Sequence, residues 1–140
     1  MNAKLFLRQL RKLDRMIENK LIEKDQWKNI ASGTSSPALG EKVQTSSNPQ
    51  KMADAVCKYI DMEYEIDKYI DTLVDAKNDV INVIEQLDAT EYDILHKRYV
   101  QYLELVDIAD MYGKTYSWVT TIHGRALQNV QTILDQREGK

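Results

Sequence analysis

The chain is nearly devoid of cysteine, proline and histidine, with one Cys, two Pro and two His in 140 residues. Cys57 alone cannot close an internal disulfide, which suits a reducing cytoplasm. In its helical, apolar context Cys57 is expected as a small core residue rather than a nucleophile. Two histidines and one cysteine are too few for a zinc ligand set or for Cys-His catalysis. A Gly-rich phosphate loop, a G-x-S-x-G elbow and an H-E-x-x-H pair are all missing. No enzyme activity, cofactor or metal is therefore expected. Long apolar runs are missing as well. No stretch approaches the ~18 apolar residues of a membrane span, and the opening MNAKLFLRQLRKLDRMIENK carries charges throughout, unlike a signal peptide. A cytoplasmic protein with no membrane partner is expected.

What remains is helical material. With 43% hydrophobic and 29% charged residues and only five glycines, the composition suits a mostly helical fold. The net charge of −3 is unevenly spread. Residues 1–30 hold eight Lys/Arg against four Asp/Glu, residues 31–87 five against ten, and residues 88–140 six against eight.

Phe6, Leu10, Leu13 and Ile17 alternate by four and three, and Leu21, Trp27 and Ile30 continue a looser stripe, so residues 1–30 are predicted as one long helix. SGTSSPALGEKVQTSSNP, residues 32–49, breaks it and reads as a linker. A second helix is predicted from Pro49, capped by Ser47 or Asn48. Met52, Val56, Tyr59, Ile66, Ile70, Leu73, Val80, Ile84 and Leu87 form a coiled-coil seam interrupted by Glu63 and Lys77. Lys20 or Lys24 facing Glu63 would fix its register. An antiparallel hairpin, a parallel homodimer or a bundle of several chains would each bury this seam. The acidic side of the helix (Asp54, Asp61, Glu65, Asp67, Asp71, Asp75, Asp79) is most simply a solvated surface.

A fresh start at Thr90, with Asp93 three residues on, approximates a capping box. Helices are predicted over Glu91–Val100, Leu105–Tyr112 and from Tyr116 to about Leu134. LELVDIADMYGKTYSWVTTIHGRAL reads as a helix-turn-helix. Ala109 permits a close helix crossing, Gly113 permits the turn, and Thr115 can cap the next helix. Val119, Ile122, Ala126 and Val130 form its buried stripe, while a generic helical hairpin is the competing interpretation.

Arg98-Tyr99, Ile108-Ala109, Gly113 and Val119-x-x-Ile122-His123-x-Arg125-Ala126-Leu127 resemble region 4 of bacterial sigma factors. The layout as a whole is similar to a family of small proteins encoded by phages and prophages of Gram-positive bacteria, thought to include regulators of late transcription. The expected fold class is all-α, a long antiparallel helical hairpin or coiled coil over residues 1–88 followed by a three-helix helix-turn-helix domain over 89–136. The resemblance implies a groove-facing set of Thr115, Tyr116, Ser117, Thr120, Thr121 and Gly124, with Lys114 and Arg125 toward phosphate. Thr121 and Gly124 stand where such sequences commonly carry Arg or Lys, which removes the bidentate guanine reader. Lys114 stands where an apolar residue usually packs, and Trp118 is expected to pack against the preceding helix or to face a partner. The expected function is a phage-encoded regulator binding double-stranded DNA in the host cytoplasm, as a homo-oligomer or with RNA polymerase. The alternative is an interaction module, a packaging adaptor or inhibitor, whose helix-turn-helix does not bind DNA by itself.

Overall fold

The computed structural model describes residues 1–33 and 48–139. Among them are five α-helices and no strand: α1 (Ala3–Ala31), α2 (Pro49–Ile84), α3 (Ala89–Leu95), α4 (Leu105–Tyr112) and α5 (Tyr116–Glu138), with a π-helical turn, His96–Val100, continuing α3. The fold class is all-α. No described helix is long and apolar enough to cross a membrane. Of the expected linker, residues 34–47 lie outside the described residues, and so does the expected cap Ser47.

Each long helix starts where its chemistry allows. The Asn2 Oδ1 accepts from the Lys4 and Leu5 amides at 2.8 and 3.1 Å, and the Asn48 Oδ1 accepts from Gln50 and Lys51 at 3.0 and 3.1 Å. Both satisfy amides that a helix start leaves orphaned. Pro49 occupies the first position of α2, where its missing N–H costs nothing.

Two compact units divide the chain, residues 1–14 with 72–140, and residues 15–71. In the second unit the helices run antiparallel, because Lys20 meets Glu65 at 2.6 Å whereas Lys24 meets Glu63, earlier in α2, at 3.7 Å. The Lys20 and Lys24 ammonium groups also lie over the Tyr69 and Tyr59 rings, at 5.5 Å each. The anticipated Lys24–Glu63 pairing is thus present, with a second one beside it.

The seam itself lies one residue off at alternate positions. Met52, Tyr59, Ile66, Leu73, Val80 and Leu87 are inward as expected, but Ala55, Met62, Tyr69, Ala76 and Val83 alternate with them. Val56 and Ile70 are instead exposed, at 43% and 41%. This register removes Glu63 and Lys77 from the seam and puts Met62 and Ala76 in their place, so no unpaired charge is buried there. Ile84 is buried as well, against other elements of its unit. On α1 the heptad runs from Ile17 through Lys20 and Lys24 to Trp27, so Leu21 and Ile30 face outward. Cys57 is exposed rather than a core residue, because the inward positions around it belong to Ala55 and Met62.

In the first unit one cluster gathers Phe6, Leu7 and Leu10 of α1, Val80, Val83 and Ile84 of α2, Leu95 and Tyr99, and Ala126, Val130 and Leu134 of α5. The α3 cap differs from expectation. Asp88, not Thr90, accepts from the Glu91 amide at 2.8 Å, so the helix begins two residues earlier than the Thr90–Asp93 capping box implies.

The register makes a clear expectation. Ile66→Ala, at a position 4% exposed, costs about 2–4 kcal/mol, whereas Ile70→Ala costs less than about 1 kcal/mol. Urea denaturation of the two variants checks it, and equal losses would return Ile70 to the seam.

Candidate nucleic-acid interface

A left-handed residue and a hydroxyl cap make the corner between α4 and α5. Gly113 has φ 64° and ψ 33° and closes α4 with its N–H directed to the Ala109 and Asp110 carbonyls. A side chain there would strain the backbone, which is why glycine serves. Two residues on, the Thr115 Oγ1 accepts from the Trp118 amide at 3.0 Å and starts α5. The small cluster Ile94, Ile108, Ala109, Val119 and Ile122 locks α3, α4 and α5 together. Trp118 is half-buried on its edge and meets Tyr112 at 5.3 Å between ring centroids. Tyr112 in turn donates to Asp93, which also takes the Lys97 ammonium at 2.7 Å. Burial, then the Asp93 bond, pushes the Tyr112 hydroxyl up to about 12. Burial alone would raise the Asp93 carboxyl, but the bonds from Lys97 and Tyr112 outweigh it and hold it below its ordinary value.

Tyr116, Ser117 and Thr121 are exposed along α5, and Thr120 and Gly124 are half-buried beside them. The Thr120 and Thr121 hydroxyls both donate back to the Ser117 carbonyl, at 3.0 and 2.9 Å. With their protons so used, they offer a methyl group and acceptor lone pairs outward, chemistry suited to a thymine methyl or a base amino group. Thr115 is spent as the cap. A Cβ added at Gly124 would meet nothing within 4 Å, so the glycine leaves open surface rather than avoiding a clash. Lys114 lies 5.6 Å from the Trp118 ring centroid.

Arg125 is placed by a partner that inspection of the motif missed. Glu91 on α3 is only 2% exposed and accepts from the Arg125 Nε at 2.8 Å and from Asn129 at 2.9 Å. The only sequence signal for it is a carboxylate in the first turn of a helix. Three further cations in and beside the motif are also engaged. Arg98 donates to the Leu103 carbonyl at 3.0 Å and lies 3.9 Å from Glu104, Lys97 pairs with Asp93, and Arg137 pairs with Asp79 at 3.3 Å.

His123 faces the interior, its Nε2 2.8 Å from the Tyr99 hydroxyl with the rings stacked at 5.7 Å. Burial, then the charges of Lys4, Arg98 and Arg8, lowers it to about 4, so the ring is neutral at neutral pH. Burial likewise raises the Tyr99 hydroxyl. His96, by contrast, bonds Gln101 at 2.9 Å on the outside of the turn.

Residues 83–132 match the family described as Sigma-70, region 4. No curated protein and no solved structure gives a significant match. The matched segment spans the end of α2 through most of α5, and it defines these residues as a sigma region-4-like helix-turn-helix, a DNA-binding type of module. It leaves the hairpin helices before residue 83 unassigned.

Two outcomes follow from this geometry. Arg125→Ala leaves the buried Glu91 carboxylate with Asn129 alone and lowers stability by about 2–4 kcal/mol, and adding Glu91→Gln restores most of the loss. Thermal unfolding of the single and double variants measures the coupling, and additive losses would dissolve it. For His123 the folded value lies below the ordinary 6.5, so the unfolded chain binds the proton more readily. Its contribution is complete above pH about 6.5 and declines as the pH falls toward about 4. His123→Gln therefore flattens the stability profile across that window, and a slope unchanged from wild type would refute the assignment.

Proposed function

We propose that this chain is a phage-encoded transcriptional regulator whose α5 enters the DNA major groove, acting in the host cytoplasm as an oligomer or together with RNA polymerase. The observation that carries the proposal is the sigma region-4-like helix-turn-helix of residues 83–132, with Tyr116, Ser117 and Thr121 exposed on its second helix. In this reading Ser117, Thr120 and Thr121 contact base edges, and Gly124 lets the backbone come close. Thr115 and Tyr116 sit at the α5 start, where helix amides favour phosphate. Lys114 and Arg125 contact the backbone. The hairpin of residues 1–88 supplies the oligomer or polymerase contact, and residues 89–136 supply the reading unit.

A second reading has its own support. The cations Arg98, Lys97, Arg125 and Arg137 are all paired within the protein, and α4 adds Asp107 and Asp110 to the same module. Phosphate neutralisation supplies most non-specific DNA affinity, and here little free positive charge is available. That favours an interaction module, a packaging adaptor or inhibitor, whose helix-turn-helix needs a partner before it binds DNA.

Binding to fragments of the encoding locus, titrated with salt with and without RNA polymerase, separates the two. The regulator prefers one fragment with a negative salt slope, and Thr120→Ala with Thr121→Ala abolishes the preference. Gly124→Lys places a cation in open surface. It should steepen the slope of log affinity against log salt by about 0.9 without destabilising the helix. Absence of binding to every fragment at low salt, even with polymerase, refutes the regulator.

A further inference from the structure

Lys4, Arg8 and Arg11 recur at i, i+4 and i+7 and so share one face of α1. That face flanks the side on which Ala3, Phe6, Leu7 and Leu10 are buried. Lys4 and Arg8 are exposed, and among the described residues no carboxylate lies within ion-pair distance of either. Arg11 is held 5.3 Å over the Tyr102 ring, whose hydroxyl occupies Asp14, the one acidic residue among the first fourteen. Beside a helix-turn-helix whose Lys97, Arg98 and Arg125 are ion-paired, Lys4 and Arg8 are uncompensated charges.

Their position relative to α5 is fixed by direct bonds. The Gln131 Oε1 accepts from the Ala3 amide and its Nε2 donates to the Met1 carbonyl, both at 2.8 Å. Thr120, Gly124, Leu127 and Gln131 follow one another at helical spacing along a single edge of α5. The edge carrying two of the proposed reading positions therefore leads directly to the start of α1. The middle of α5 registers the same neighbours, since Lys4, Arg98 and Arg8 all act on the His123 ring.

We propose that Lys4 and Arg8 form an accessory phosphate-binding surface that grips the backbone of the double-stranded DNA entered by α5. This rests on the DNA-reading function proposed above and extends it to an element outside the matched segment. Two cations on one face of a helix, projecting from a rigid bonded corner, suit adjacent phosphates. Such contacts fix position and carry no sequence information. Division of labour follows, with α5 choosing the site and α1 holding the duplex.

The test uses the full chain and a duplex of about 30 base pairs of arbitrary sequence, followed by fluorescence anisotropy between about 50 and 200 mM salt. Lys4→Ala with Arg8→Ala should lower the magnitude of the salt slope by about 1.8, so that the loss of affinity over that range is about twelvefold smaller than in wild type. Arg8→Lys should retain the wild-type slope, and circular dichroism should show all variants equally helical. If the Lys4/Arg8 variant binds with wild-type slope and affinity, the accessory surface is refuted and the reading by α5 stands. A slope lost in the double variant and not kept by Arg8→Lys also refutes it. If wild type binds no duplex at about 50 mM salt, either alone or with RNA polymerase present, the DNA-reading function fails and this surface with it.

Discussion

The inner face of α5 is divided between two apolar clusters, and the rest of the matched module depends on that division. Val119 and Ile122 close onto Ile94, Ile108 and Ala109, while Ala126, Val130 and Leu134 close onto Leu7, Leu10, Val80 and Ile84. Each fully buried aliphatic side chain contributes about 1.5–3 kcal/mol relative to exposure. The first cluster fixes the angle between α4 and α5, and so the orientation of the exposed Ser117 and Thr121. The second ties the far half of α5 to the beginning of α1 and the end of α2. A helix of 23 residues anchored along both halves is stiff enough to present a reading surface without partner contacts to hold it.

The small cluster was the most legible part of the chain because local signals agreed there. Ile108-Ala109, Gly113, Thr115 and Val119-x-x-Ile122 each state a separate requirement of one corner, and all are met. The hairpin was legible in kind but not in register. Val56 and Ile70 are more hydrophobic than Ala55 or Tyr69, and period counting selects them. The helix instead buries small or adaptable residues, Ala55, Met62 and Ala76. The same one-residue offset accounts for the exposed Cys57. Longer-range features left little local trace. The bond from Glu91 to Arg125 spans 34 residues, and the bonds from Gln131 to the chain start span about 130. The π-helical turn and Tyr102, whose φ is 64°, are likewise held by such contacts: Tyr99 by His123, and Tyr102 by Asp14.

Glu91 shows how the fold and the proposed function draw on the same group. Burying a carboxylate is costly unless it is paired, and Arg125 with Asn129 compensates it. The pairing orients the guanidinium and offsets its charge. Arg125 is therefore a poorer phosphate ligand electrostatically and a better-positioned one geometrically. Loss of DNA binding on its removal would mix both effects, so stability must be measured beside affinity for any variant at that position.

Charge placement gives the same lesson at the scale of the molecule. A net charge of −3 says little about a duplex that meets only one side of the chain. Most acidic residues of α2 lie on its solvated side. Among the described residues, Glu91, Asp93 and Glu104 of the matched segment are each paired with a cation near them, while Asp107 and Asp110 are not. Salt screens charges beyond roughly 8–10 Å, so a local concentration of unpaired positive charge outweighs a distant negative excess. Lys4 and Arg8 provide that concentration beside α5, in a segment whose sequence shows a basic balance but not which of its cations stay unpaired.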